Sequence, residues 1–339
     1  SQHSAFSQRL TRGGEGMKEN SIFTTGLFVV ALLLLFLSVG RLLGDNDPER
    51  FKISVVVDHS NSDVWSSFKM GLTAAGRAYN MEYNFVSTDR LVSIQQENIS
   101  MQREIQSGAD GIIAELRATE GTGLLLNALG KNAEIMLVDS QKETTEPGLN
   151  ISSVNVEEEA LGKALAEQVL HSTLHKEKKR IGILAGNQNK GNMQRRLKSL
   201  ISVLEAGGQE IAWVLPDTGK IQEDMVKANH KRSVDLIVAL ENDSLEMASR
   251  YLKETGRRYV ELYGVGNSRE VVYALDAGII RCLAVIDQYT MAYYAMEDLW
   301  YKLSKKRNTT EDRIVNFYMV TGENMYSEEI ERILFPTED

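Results

Sequence analysis

Between Asp58 and Trp65 the chain gathers groups suited to holding a small polar molecule. Asp58, His59, Ser60, Asn61 and Ser62 supply carboxylate, imidazole, hydroxyl and amide groups, and Trp65 adds a flat apolar face. Other constellations carry less. His171 and His175 stand four apart on a predicted helix and could face one metal ion, but no His-Glu-x-x-His and no suitably spaced cysteine or carboxylate accompanies them. The stretch Gly186 to Gly191 has the look of a phosphate loop, yet Asn192-Met193 stands where Lys-Ser/Thr is required. Gly264-Val265-Gly266 lacks the third glycine of a dinucleotide fingerprint, and there is no nucleophile elbow or catalytic triad signature. Cys282 is the only cysteine and lies in an apolar run, which suits a buried inert thiol. The expected chemistry is binding without catalysis, metal or cofactor.

These residues need a scaffold. Ile53 to Val57 is a β-branched, strand-like run, followed by the turn-prone Asp58 to Ser62. Asp63 can N-cap a helix whose apolar positions Val64, Phe68, Leu72 and Ala75 recur every three or four residues. A strand passing into a helix through a polar loop is half of a βαβ unit, and in open parallel sheets ligands bind at the carboxyl ends of strands. Trp65 in the first turn also suits a core role, and Asn242-Asp243 also suits a helix cap.

The alternation continues. Strands are expected at 83–87, 112–114, 135–138, 151–156, 180–185, 210–215, 236–240, 260–265, 283–286 and 314–320. Helices are expected at 92–107, 119–131, 157–174, 192–206, 221–230, from about 243 to 254, and 289–303. Short strands separated by helical crossovers predict an α/β chain of two doubly wound parallel-sheet lobes.

The 339 residues carry a formal net charge of −9, which argues against a nucleic acid partner. Ile22 to Val39 contains no charged residue and is near the lower length limit for crossing a bilayer. A cleaved secretory signal and an uncleaved anchor compete for it. Arg41-Leu42-Leu43-Gly44-Asp45 offers no A-x-A cleavage pattern and no lipid-accepting cysteine, which favours an anchor over residues 22–40. Either way the solute-facing part, 45–339, is expected outside the cytoplasm, with 1–21 a cytoplasmic or non-native tail. The run Arg12 to Gly16 is what a translated purine-rich ribosome-binding site would yield, placing the expected natural start at Met17.

From Phe51 to about Val320 the chain resembles the type I periplasmic sugar-binding proteins, the superfamily of ribose-binding protein and the lactose-repressor effector domain. The residues that carry the likeness are Phe68-Lys69-Met70-Gly71, SGADGIIA (Ser107 to Ala114), IMLVDS (Ile135 to Ser140), EEEALGKALAEQVL (Glu157 to Leu170) and ALENDSLEMA (Ala239 to Ala248). The resemblance implies a ligand cleft between two lobes. Val64 and Trp65, with Asn61 from the same loop, would face the sugar ring; Asp139 would accept hydrogen bonds from paired hydroxyls. Arg196 would reach in from the second lobe, and Asn242 and Gln288 would complete the site. Two positions depart from the family pattern: Ser140 replaces an arginine and Gly266 an aspartate. Asp58, His59, Glu115 and Asp243 are further candidate contacts.

The expected lobes are 51–154 with 266–287, and 157–264 with 289–339, crossing near Val154–Glu157, Val265–Ser268 and Ile286–Tyr289. The implied function is an extracytoplasmic solute-binding protein serving a membrane permease such as an ABC-type sugar importer. The alternative is a ligand-sensing co-receptor for a membrane sensor kinase or chemoreceptor. A transcriptional regulator of the same fold would need a helix-turn-helix where the apolar segment stands.

Overall fold

The computed structural model describes residues 29–33, 35, 50–143, 151–172, 178–257, 259–307 and 311–335. The chain divides into two compact units, residues 1–50 and 51–339. In the first, 29–33 and 35 are helical and exposed. No helix among the described residues is long and apolar enough to cross a membrane. The expected tail at 1–21, most of the apolar segment at 22–40 and His175 lie outside the described residues.

The second unit begins with β1 (Lys52–Val56), α1 (Ser66–Tyr79), β2 (Glu82–Phe85), α2 (Ile94–Gln106), β3 (Gly111–Ala114), α3 (Gly123–Leu129), β4 (Glu134–Val138) and β5 (Ser152–Val156). There follow α4 (Glu158–Ser172), β6 (Arg180–Gly186), α5 (Gly191–Ala206), β7 (Glu210–Pro216), α6 (Ile221–Lys231), β8 (Leu236–Ala239), α7 (Asn242–Glu254), β9 (Glu261–Val265), α8 (Arg269–Asp276) and β10 (Ile280–Ile286). The chain closes with α9 (Gln288–Leu303), β11 (Arg313–Val315), β12 (Phe317–Val320) and α10 (Glu328–Leu334). Strand order is β11-β5-β4-β3-β1-β2 in one sheet and β12-β10-β9-β8-β6-β7 in the other. Every pairing is parallel except that of β12 with β10, an antiparallel edge.

Central strands β3 and β8 are buried at every position, as strands covered by helices on both faces must be. The first lobe accordingly holds two cores. Phe68, Leu72, Met291 and Leu299 pack with Val55 on one face of its sheet, and Met101, Leu126 and Leu129 with Val56 on the other. The second lobe has the same three layers.

The lobes divide the chain differently from the sequence expectation. Residues 269–286 supply α8 and β10 to the second lobe, while α9 packs on the first. The chain does not cross at 265–268. It crosses between β5 and α4, between β10 and α9, and at Asn316. The single strand expected over 314–320 is two strands in different sheets, and the Asp287 N–H donates to the Asn316 carbonyl at 3.0 Å, tying two crossings together. Periodicity reports element type, whereas the sheet a strand joins is decided by long-range pairing. Helices α8 and α10 were not expected from the sequence. The helix start after β1 also differs. Ser62 caps a short 3-10 turn over Asp63–Trp65, leaving Asp63 free to pair with Arg269 at 3.3 Å.

Each lobe has one helix pair drawn together by a glycine. A Cβ on Gly71 in α1 would lie 2.2 Å from the Tyr289 carbonyl of α9. One on Gly162 in α4 would lie 2.3 Å from the Arg196 carbonyl of α5. The α4–α5 contact also buries an ion pair, Arg196 Nε to Glu158 Oε2 at 2.7 Å, with Arg196 only 2% exposed. Gly162→Ala should lower the unfolding free energy by ~1–3 kcal/mol through overpacking, read as a lower urea midpoint. An unchanged midpoint would contradict the close approach. Arg196→Ala should cost about 3–5 kcal/mol, because it strands a buried carboxylate. A loss below 1 kcal/mol in the same assay would show that Glu158 finds solvent.

Candidate functional site

The strand ends of both sheets meet across a cleft. Val64 and Trp65 follow β1, Glu115 follows β3 and Asp139 follows β4. From the second lobe come Lys190, Met193 and Arg196 at the start of α5, Glu241 and Asn242 after β8, and Gly266 and Asn267 after β9. Gln288 and Met291 enter from the crossing into α9. These residues line one cavity of about 150 Å³. A second, of about 90 Å³, adjoins it and is lined by Asp58, Arg117, Asp217 and Asp243, with Glu115, Lys190 and Glu241 shared by both. A groove of about 610 Å³ lies elsewhere, between α1 and α10. It is larger, but apart from Asp287 it is lined by residues in or flanking helices α1, α9 and α10 and not by strand-end loops, and Glu328 and Arg332 pair with each other along one helix. The cleft is therefore the better candidate.

The cleft is closed by polar contacts between the lobes. Lys190 Nζ lies 2.5 Å from Glu115 Oε1 and 3.8 Å from Asp139 Oδ2. Burial disfavours the ammonium, but these carboxylates overcome that penalty and hold its pKa above the ordinary lysine value. Asn192 Nδ2 donates to the Asp139 carbonyl at 2.8 Å, and Asn267 Nδ2 to the Val64 carbonyl at 2.9 Å. At the rim, Asn187 Nδ2 donates to the Arg117 carbonyl at 2.8 Å and the Thr119 N–H to the Asn189 carbonyl at 3.0 Å.

Arg196 is held by Glu158 and by the Leu240 carbonyl, 2.7 Å from Nη1. Its Nη2 is buried without a hydrogen-bond partner, 4.0 Å from Asp139 Oδ1. This orphan donor and the nearby carboxylate can bind paired hydroxyls, which both donate and accept. Trp65 is 8% exposed and anchored by Nε1–H donating to the Asp58 carbonyl, which sets an aromatic edge against the cavity.

The structure thus brings together Val64, Trp65, Glu115, Asp139, Arg196, Asn242 and Gln288. Asn242 spends its side chain internally: Oδ1 accepts the N–H groups of Asn267 and Ser268, and Nδ2 donates to Glu246. It shapes the loop that carries Asn267. Asp58 and Asp243 line the adjoining cavity, where Asp58 pairs with Arg117 at 2.8 Å. Asn61 and His59 line neither cavity and are exposed. The cause is Ser60, which turns inward to bond Thr88 and so points its neighbours outward.

Sequence reasoning missed Lys190, Glu241 and Asn267, and the two departures explain part of the miss. Ser140 is buried, with Oγ accepting the Leu116 N–H at 2.7 Å, so the cation near Asp139 comes from Lys190 across the cleft. At Gly266 a Cβ would lie 2.8 Å from Asn242 Oδ1, so a longer side chain is excluded there and Asn267 reaches in instead. The signal available was Lys190 at the mouth of a helix that follows a strand.

A family model described as a periplasmic binding protein domain matches residues 53–307. Comparison with curated protein sequences returns no match. Among solved structures, a carbohydrate transporter solute-binding protein from Agrobacterium radiobacter in complex with D-arabinose aligns with a TM-score of 0.74 at 16% identity, over 85% of this chain and 100% of that one. A solute-binding protein from Agrobacterium vitis bound with α-D-tagatopyranose gives 0.75 at 12% identity, over 85% and 100%. The Caulobacter myo-inositol binding protein gives 0.72 at 14% identity, over 84% and 98%. At such identities the likeness is one of fold. With a matching family model over most of its length and two sheets meeting at their strand ends, this chain belongs to the periplasmic binding protein domain family, with the type I fold.

Proposed function

We propose that this chain is an extracytoplasmic solute-binding protein that closes on a small polar, sugar-like ligand. The observation that carries the reading is the cleft itself. Its cavity of about 150 Å³ is the size that takes up a six-membered ring, and it holds a carboxylate, an orphan guanidinium donor and an aromatic edge. The ring polyols bound by proteins of the same fold support that choice. The chain acts as a binder, not an enzyme, and the closed form is what a membrane partner recognises.

In the main reading the partner is the permease of an ABC-type sugar importer. A second reading makes the chain a co-receptor that reports ligand to a sensor kinase or chemoreceptor. It is favoured by Ile22 to Val39, which is followed by neither a cleavage pattern nor a lipid-accepting cysteine at Arg41 to Asp45 and so suits a permanent single-pass anchor in the cell membrane. Copurification with a permease and ATPase supports the first; copurification with a kinase supports the second.

The reading is tested by thermal unfolding of the detergent-solubilised chain against sugars, sugar alcohols, furanones and nucleosides. A ligand at 100 times its dissociation constant should add about 2.7 kcal/mol, and Asp139→Asn should remove most of that gain. A panel without any shift, or a shift indifferent to Asp139→Asn, would overturn it.

A further inference from the structure

The charges around the cleft do not balance. Among the described residues four cations face it, and each has a carboxylate partner: Arg90 with Asp217, Arg117 with Asp58, Lys190 with Glu115 and Arg196 with Glu158. Of the other carboxylates that line the main cavity, Asp139 shares two of these cations at longer range and Glu241 is left over. Asp139 has its nearest cations only at 3.8 and 4.0 Å. Glu241 has none within 4 Å among the described residues. Among the described residues its side chain accepts one hydrogen bond, a long one from the Asn187 N–H at 3.3 Å. Glu241 also stands where the two cavities join, so a group beside it can reach either.

We infer that the preferred ligand of this cleft is a hydroxylated ring bearing a basic nitrogen, an amino sugar or aminocyclitol, whose ammonium pairs with Glu241 while its hydroxyls meet Asp139 and Arg196. This rests on the reading of the cleft as a sugar site. Two observations fix where the hydroxyl and the ammonium of such a ligand would go. Arg196 lines the same cavity and its buried Nη2 has no hydrogen-bond partner among the described residues, so it calls for an oxygen acceptor on the ligand. Gly186 and the Asn187 N–H confine the Glu241 carboxyl, since a Cβ on Gly186 would lie 2.8 Å from Oε2. The ionised carboxylate is not at ease there without a cation. Burial, with Asp217 and Asp243 adding repulsion, pushes the Glu241 pKa up to about 7, against the opposing pull of the Asn187 N–H and the more distant Lys190. An incoming ammonium supplies the missing charge, and a neutral sugar does not.

Calorimetric titration of the full chain in detergent at pH 7 decides the matter, with D-glucosamine, D-galactosamine, their parent hexoses and N-acetyl-D-glucosamine as probes. At least one amine should bind about tenfold or more tightly than its neutral parent, the gain of a charge-assisted hydrogen bond. Acetylation should abolish that preference. Glu241→Gln should bring the amine-to-parent ratio towards one. The ratio is read within a single variant, so a general weakening does not mimic the effect. Neutral parents that bind as well as the amines would overturn the inference and leave the sugar reading standing. Silence from every probe, in a chain that also fails the wider panel, would overturn both.

Discussion

Lys190 is the residue on which the closed cleft depends. It belongs to the second lobe, yet its ammonium is buried against Glu115 and Asp139 of the first. Removing an ammonium and a carboxylate from water is expensive, and only close geometry with further hydrogen bonds offsets the cost. Closure therefore has to be accurate. The lobes meet in the one arrangement that seats the ammonium, and the rim bonds of Asn187 and Thr119 fix the same register. An open cleft returns both charges to water, so the two states differ by large opposing terms. On the proposed reading, a ligand that satisfies Arg196 Nη2 and Asp139 would tip that balance.

The fold serves this arrangement by bringing strand ends together from two sheets. Three crossings connect the lobes, and the bond from Asp287 to Asn316 ties two of them together. Glycines set the helix spacing that positions the site. Gly162 lets α4 approach α5, which carries Lys190 at its mouth and Arg196 one turn and a half later; Gly71 does the same for α1 and α9, which flank Trp65 and Gln288. Packing and binding are thus coupled through the same helices.

Much of this was legible in the residues. The β-branched runs and the strand-end polar pairs at Asp139-Ser140 and Asn242-Asp243 marked both the α/β alternation and the side of the sheets where the cleft opens. The lobe to which 269–303 belongs was not legible, because α8, β10 and α9 have ordinary periodicities and only long-range pairing assigns them. Nor was Lys190, which lies in a glycine- and asparagine-rich turn whose nearest pattern is a failed phosphate loop. Its role comes from Glu115, 75 residues away. Asn61 and His59 illustrate the opposite error: residue type suited them to the site, but the inward turn of Ser60 pointed them away.

The most direct test of the account is a crystal structure of the chain grown with the ligand that stabilises it most. The expected electron density is a ring in the cavity between Asp139, Arg196 and Asn267, with a hydroxyl within hydrogen-bond reach of Arg196 Nη2 and the Lys190–Glu115 pair intact. Ligand in the groove between α1 and α10 with the cleft empty, or a bound structure in which Lys190 and Glu115 stand apart, would contradict it.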